Sequence, residues 1–264
     1  MNRKTTKIIF LALLLGIFAV TLSAQALTGI KTIGSGGNYS TFTAAINALN
    51  TNGVGVGGVT FNVAAGATFN ERPPAITATG TETDPIVFQK SGTGNNPVIT
   101  PTGTGSSNEA GIIISGGDYI TFDGIDINAS AVTNVEYGYL IRNASSTNGA
   151  KHNTIKNMTV TLSQSVPVYA YPSYLACIMQ STDPTHGGGV DPSAQSGAND
   201  YNRYLNLTLQ NSASGILMLG GTTYNDLNCE VTTTDDAIRN TITNLGSLST
   251  SALPMVLSTI QSRT

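Results

Sequence analysis

The stretch ITFDGIDI at residues 120–127 is the first of four copies of one pattern, followed by NTIKNMTV at 153–160, NRYLNLTL at 202–209 and NTITNLGS at 240–247. In each copy an aromatic or branched side chain lies two positions before a Gly or Asn, and an apolar residue follows that Gly or Asn directly. Gly and Asn tolerate a positive φ, so one such residue between two short strands bends the chain sharply. The pattern therefore predicts four bend residues: Gly124, Asn157, Asn206 and Asn244.

A further apolar strand follows three of the copies, at residues 138–141, 175–179 and 215–219. The bends are 33, 49 and 38 residues apart, a spacing typical of solenoid repeats. Stacked coils would let each strand pair with the next and would align the bend asparagines in a column. The sequence thus predicts an all-β fold, a parallel β-helix. A β-sandwich with Asn-rich hairpins is the alternative.

One helix is predicted between Gly34 and Gly53, with Ser40 or Thr41 as its N-cap. Its apolar residues are spaced i, i+3, i+4 and i+7, so one face must cover an apolar surface. These residues are Phe42, Ala45, Ile46 and Leu49.

The segment IGSGGNYSTFTAAINAL at 33–49 and the Asn-x-Ile-x-Asn repeats resemble the pectin-lyase-like superfamily, especially secreted and surface β-helix proteins of Bacteroidota. The resemblance implies a right-handed parallel β-helix whose open apolar end is capped by the helix at 41–49. We divide the chain into a signal peptide (1–26), an entry segment with the capping helix (27–58) and the β-helix (59–264). No clear closing element follows the last copy, so we expect a truncated piece of a longer protein.

The N-terminus predicts export. Arg3, Lys4 and Lys7 precede an uncharged apolar run at 8–22, and the small-x-small sequence Ala-Gln-Ala at 24–26 follows it. We predict cleavage after residue 26 and an extracellular or outer cell-surface location. A retained membrane anchor is the alternative, but a membrane span needs about 20 apolar residues. The mature chain should contain no membrane span.

Charge and cysteine usage limit the partners. Cleavage would remove three basic and no acidic residues, taking the net charge from −3 to −6. The remaining basic residues are scattered, which argues against a nucleic-acid partner.

Cys177 and Cys229 are the only cysteines, and an oxidising compartment would allow them to form a disulfide. Buried free thiols are the alternative.

In the superfamily that the chain resembles, ligands lie along one outer sheet, which maps onto residues 138–142, 175–179 and 215–219. The polar positions of these strands include Tyr139, Arg142 and Gln180. Exposed tyrosines on a rigid scaffold can stack on sugar rings, although the Pro-punctuated tyrosine segment can also be a loop packed against the flank. The candidate ligand-binding residues are Arg142, Tyr169, Tyr171, Tyr174 and His186.

Catalytic candidates are few. Asp235 and Asp236 with Arg239 form the one set that resembles polygalacturonase chemistry, but neighbouring residues on a strand point to opposite faces. The His-Gly and Arg-x-Lys elements of that family are missing downstream. No Cys or His cluster has metal-ligand spacing, and no cofactor is predicted. Asp118, Asp123 and Asp126 are candidate Ca²⁺ ligands; alternatively, they flank a strand and its bend.

These patterns favour a secreted or cell-surface scaffold that binds polysaccharide or acts in adhesion. The alternative is a polysaccharide-degrading enzyme, namely a lyase, glycoside hydrolase or esterase acting on pectin-like glycans. A purely structural stalk is the third hypothesis.

Overall fold

The computed structural model describes residues 25–104, 106–132, 134–163, 175–231, 240–243 and 259–261 of the 264-residue chain. These residues contain one α-helix, α1 (Phe42–Asn52), a 3-10 turn (Gln195–Gly197) and fifteen strands. The strands are β1 (Leu27–Ile33), β2 (Val54–Ala64), β3 (Thr68–Asn70), β4 (Ile86–Ser91), β5 (Val98–Thr100), β6 (Ala110–Ser115), β7 (Ile120–Asp123), β8 (Asp126–Asn128), β9 (Tyr137–Arg142), β10 (Thr154–Thr161), β11 (Ala176–Ser181), β12 (Arg203–Gln210), β13 (Ser214–Leu219), β14 (Thr241–Thr243) and β15 (Thr259–Gln261). The predicted signal peptide lies almost wholly outside the described residues.

The strands form a ten-stranded sheet and a five-stranded sheet. In the described residues every pair of neighbouring strands is parallel. Parallel strands need crossover connections, so the alternative of a sandwich built from antiparallel hairpins is wrong. The protein is an all-β fold with parallel sheets. In the larger sheet β10 lies at a junction, because its first half pairs with β7 and its second half with β8.

The first three copies of the repeat lie side by side in the predicted alignment. Phe122 pairs with Ile155, and Ile155 pairs with Tyr204. The fourth copy is shifted, because Ile242 pairs with Leu209 and not with Tyr204. Its expected place beside the start of β12 is taken by residue 230, whose carbonyl accepts a hydrogen bond from the Tyr204 amide.

Three of the predicted bend residues have left-handed backbone. Gly124 has a φ of 69°, Asn157 of 59° and Asn206 of 52°. The side-chain amide of Asn206 donates to Oδ1 of Asn157 at 2.9 Å, so these two asparagines form part of the expected column. Asn244 lies outside the described residues.

An aromatic stack runs through the core across three neighbouring strands of the larger sheet. The rings of Phe61 and Phe88 are 4.6 Å apart, and those of Phe88 and Phe122 are 4.7 Å apart, both nearly parallel. Tyr139 from the smaller sheet meets Phe122 edge-on at 5.4 Å. The two sheets therefore enclose one apolar interior.

Helix α1 packs against this interior through the predicted stripe, whose four residues are fully buried. Phe42 contacts Phe69 edge-on and Phe88 in a stacked arrangement. Thr41 is the N-cap, because its hydroxyl accepts from the amide of Ala44. Among the described residues no helix is long and apolar enough to cross a membrane.

The N-terminus of α1 is also held by an acid from outside the helix. The Glu71 carboxylate accepts hydrogen bonds from the backbone amides of Phe42 and Thr43 at 2.8 and 2.9 Å. Amides at a helix N-terminus have no partner within the helix, and they favour a negative charge. We expect Glu71→Ala to lower the free energy of unfolding by about 2 kcal/mol in urea denaturation. The exposed Glu82→Ala is the control, and an equal loss there would contradict the assignment.

The candidate disulfide is wrong, because Cys177 and Cys229 are both free thiols. Cys177 is fully buried and lies 3.2 Å from the hydroxyl of Ser212. Burial raises the pKa of its thiol to about 11. The thiol of Cys229 instead lies against the carbonyl of Asn199 at 3.3 Å. Cys177 thus serves as a small core residue.

Candidate functional site

Two of the three polar residues on the strands that were expected to carry the ligand are buried and do not face outward. Tyr139 is fully buried in the main core and donates its hydroxyl to the carbonyl of Ile125. Gln180 is also fully buried. Leu140 and Met179, in the alternate positions, belong to a separate apolar cluster and are fully buried as well. The outer side of the smaller sheet is therefore mostly buried and apolar, and of the three polar residues only Arg142 lies on it.

Arg142 and His186, two of the predicted ligand-binding residues, meet at one loop over this sheet. Nη1 of Arg142 donates to the carbonyls of Gly187 and Gly188 at 3.2 and 3.4 Å. A Cβ at residue 188 would lie 2.7 Å from that nitrogen, so glycine leaves room for the guanidinium. Nδ1 of His186 lies 2.9 Å from Oδ2 of Asp183. Burial lowers the pKa of both Arg142 and His186. This geometry anchors a loop.

The three candidate Ca²⁺ ligands each bind other groups of the protein. Oδ1 of Asp118 accepts from the backbone amide of Lys151, and Asp123 pairs with Lys156. Asp126 accepts from the backbone amide of Thr159 at 2.8 Å. Within the described ranges no three His, Cys, Asp or Glu side chains are grouped so as to hold a metal ion. The acids flank strands and bends, as in the alternative interpretation.

The other candidates lie outside the described residues. They are Tyr169, Tyr171, Tyr174, Asp235, Asp236 and Arg239.

A stack of aromatic rings lies on the surface beside the larger sheet, and we name it the aromatic ladder: Tyr119, His152 and Tyr201. The rings of Tyr119 and His152 are 4.5 Å apart and inclined by 6°. Those of His152 and Tyr201 are 4.6 Å apart and inclined by 3°. The side chain of Tyr201 is 45% exposed, and the neighbouring Leu227 is 47% exposed. Three successive strands of the sheet are each preceded by one ladder ring.

All three ladder residues have a positive φ, of 54°, 56° and 61°. The backbone amide of each donates to the carbonyl of a residue directly before the next position with positive φ: Lys151, Asp200 and Leu227. Asn228, which follows Leu227, also has a positive φ, of 56°, and so continues the column. Asn and His adopt this backbone more readily than other residues, whereas a tyrosine there is an outlier that costs on the order of 1 kcal/mol. Such strain persists where the surroundings or a function require the side chain.

The sheet face beside the ladder is polar and partly exposed. Thr121, Thr154 and Arg203 lie side by side in register, and they alternate with buried residues along their strands. Each is two residues after a ladder ring. We call the ladder together with these three residues the ladder face. It combines rings, hydroxyls and a guanidinium on a rigid sheet.

Sequence reasoning missed the ladder, although a signal was present. Tyr119, His152 and Tyr201 each stand directly before a copy of the repeat. Equivalent positions in successive copies come together in a parallel sheet, so the alignment of the copies already implied that these rings are neighbours.

A buried polar network lies where the two sheets meet. Oε1 of Gln180 accepts from the hydroxyl of Tyr204 at 2.6 Å and from the amide of Asn202 at 3.1 Å. Nε2 of Gln180 donates to Oδ2 of Asp226 at 2.6 Å. The backbone amide of Asn199 donates to the other Asp226 oxygen at 2.8 Å. Burial nevertheless raises the pKa of Asp226 from 3.8 to about 6.

The raised pKa makes stability depend on pH. The folded protein binds the Asp226 proton more tightly than the unfolded chain does, so this stabilisation is complete below about pH 4 and is lost as the pH rises through about 6. A shift of about two units corresponds to about 3 kcal/mol. We compare the free energy of unfolding of the wild type with that of Asp226→Asn. As the pH rises from about 4 through about 6, the wild type should lose up to about 3 kcal/mol relative to this variant. Urea denaturation across the range measures it, and parallel pH profiles would contradict it.

The sequence was compared with protein-family models, with curated proteins and with solved structures, and none of the three comparisons found a match.

Proposed function

We propose that the parallel sheets wind as a right-handed β-helix of the pectin-lyase-like kind, with α1 capping one end of the stack. The support is the register, in which successive copies of the repeat pair in parallel, and the buried stripe of α1 against Phe69 and Phe88. Crossovers between parallel strands are right-handed in nearly all proteins.

We propose further that the chain is an exported scaffold that binds polysaccharide through the ladder face, outside the cell or at its surface. The observation that carries this proposal is the stack of three rings at left-handed backbone positions. The N-terminal charge and apolar pattern supports export.

Sugars are amphipathic, and the ladder face suits them. An exposed tyrosine offers an apolar ring and a hydroxyl, and its side chain loses little conformational entropy on binding. Thr121 and Thr154 add hydroxyls that can both donate and accept hydrogen bonds. Because these groups belong to a hydrogen-bonded sheet, the surface is already ordered before the ligand arrives, which lowers the free-energy cost of binding.

Binding of the exported chain to a glycan array and to soluble polysaccharides tests the proposal. We expect Tyr201→Ala to weaken binding at least about tenfold, which corresponds to about 1.4 kcal/mol. Tyr224→Ala, at a partly exposed tyrosine outside the ladder, is the control and should bind as the wild type does. Far-UV circular dichroism checks that both variants are folded. A folded Tyr201→Ala variant with unchanged binding would mean that the ladder only stabilises the fold.

A further inference from the structure

We infer that the ladder face takes an uncharged polysaccharide and not a polymer of uronic acids. This inference rests on the proposed function and specifies its ligand class. It follows from the way in which the charged side chains on and around the ladder face are paired.

The charged side chains beside the ladder face form ion pairs with one another. Nζ of Lys156 lies 3.1 Å from the Asp123 carboxylate. Nε of Arg203 lies 2.7 Å from the Glu230 carboxylate, and both side chains are partly exposed. Each cation at this part of the sheet thus already has a carboxylate beside it.

A second row of charges comes from the residues that directly precede the three ladder residues. Nζ of Lys151 lies 3.1 Å from the carboxylate of Asp200. Asp118 accepts from the backbone amide of Lys151, and Asp200 accepts from the backbone amide of Leu227. Together the two rows contain three basic and four acidic side chains. The surface around the rings therefore has no positive excess.

A uronic acid polymer needs cations that are free to meet its carboxylates, because charge-assisted pairs supply most of the specificity for such groups. Here each approaching carboxylate would meet a cation that is already paired and an acid that repels it. Neutral sugar hydroxyls face no such penalty. They can bond to Thr121, Thr154 and the tyrosine hydroxyls, while their apolar faces contact the rings.

The experiment compares a neutral polysaccharide, xyloglucan, with an acidic one, polygalacturonate, by isothermal titration at low and at high NaCl. Only binding that Tyr201→Ala weakens counts as binding at the ladder face. We expect ladder-dependent binding of the neutral polymer, unchanged by salt because no ion pair is formed. Ladder-dependent binding of polygalacturonate that is stronger than that of the neutral polymer would overturn the inference and leave the proposed function standing.

A charge variant sharpens the test. Glu230→Gln leaves Arg203 unpaired, and since the pair is half exposed the fold should tolerate the change. We expect this variant to gain polygalacturonate affinity about fivefold at low NaCl, with the gain lost at high NaCl. The wild-type affinity for the neutral polymer should be retained. Absence of the gain would mean that charge pairing does not decide the ligand class. No binding of any glycan would instead contradict the proposed function itself.

Discussion

Replacing Asn202 with Ala is expected to lower the free energy of unfolding by about 4 kcal/mol. Asn202 is fully buried. Its Oδ1 accepts from the backbone amide of Asn153 at 2.9 Å, and its Nδ2 donates to the carbonyl of Ala150 at 2.8 Å. Alanine would leave these two backbone groups buried without a partner, and each such group costs about 1–3 kcal/mol. Urea denaturation followed by far-UV circular dichroism measures the loss.

The matched control is Asn62→Ala, in β2 of the larger sheet. Asn62 is partly exposed and accepts a single hydrogen bond from Gln89, so water can replace its partner. We expect a loss below about 1 kcal/mol there. Equal losses in the two variants would mean that the buried amide does not stabilise the fold.

Gly149→Ala is expected to cost about 3 kcal/mol, because there is no room for a methyl group. A Cβ at residue 149 would clash with the carbonyl oxygen of Ala198. The backbone amide of Gly149 donates to the carbonyl of Ser196 at 2.8 Å, and this hydrogen bond holds the two loops together. No rotamer change can relieve a contact between two backbones, so the loops must separate. His152, three residues later, should then stack less closely on Tyr201.

Thermal unfolding of Gly149→Ala can be compared with that of Gly220→Ala. At residue 220 the nearest atom to a new Cβ is the backbone nitrogen of Asp226, at 3.3 Å, so a shift of a few tenths of an ångström suffices. We expect a decrease in stability below about 1 kcal/mol in this control. A similar decrease for both glycines would contradict the close approach of the loops.

The repeat pattern predicted the parallel pairing and the first three bends, because each depends on local residues. For example, the paired residue Phe122 and the bend residue Asn157 can each be recognised from the few residues on either side of them. The fourth copy was misaligned because β12 has buried residues on both sides of the Asn206 bend, Tyr204 before it and Leu209 after it, and either could pair with Ile242. Only the pairing of residue 230 with β12 resolves the choice.

Other features depend on contacts between distant residues. Gly149 follows an Asn and suggests a turn that needs positive φ, yet its function is to leave space for Ala198. Gln180 was expected on an outer surface, but the inward direction of its side chain is set by the register of β11 with its neighbours. The ladder was missed for a different reason. A single Tyr or His before a strand predicts no site, and the stack becomes evident only when the equivalent residues of successive copies are compared.

The aromatic ladder also has an optical consequence. The chain contains no Trp, so its near-UV absorption comes from tyrosines and phenylalanines. Tyr119 and Tyr201 are fixed on either side of one imidazole ring in a chiral arrangement. Near-UV circular dichroism reports on such fixed rings and is lost when packing loosens, even if the strands remain. The difference in near-UV signal between the wild type and Tyr201→Ala therefore reports on the surface next to the sheet, without any added label.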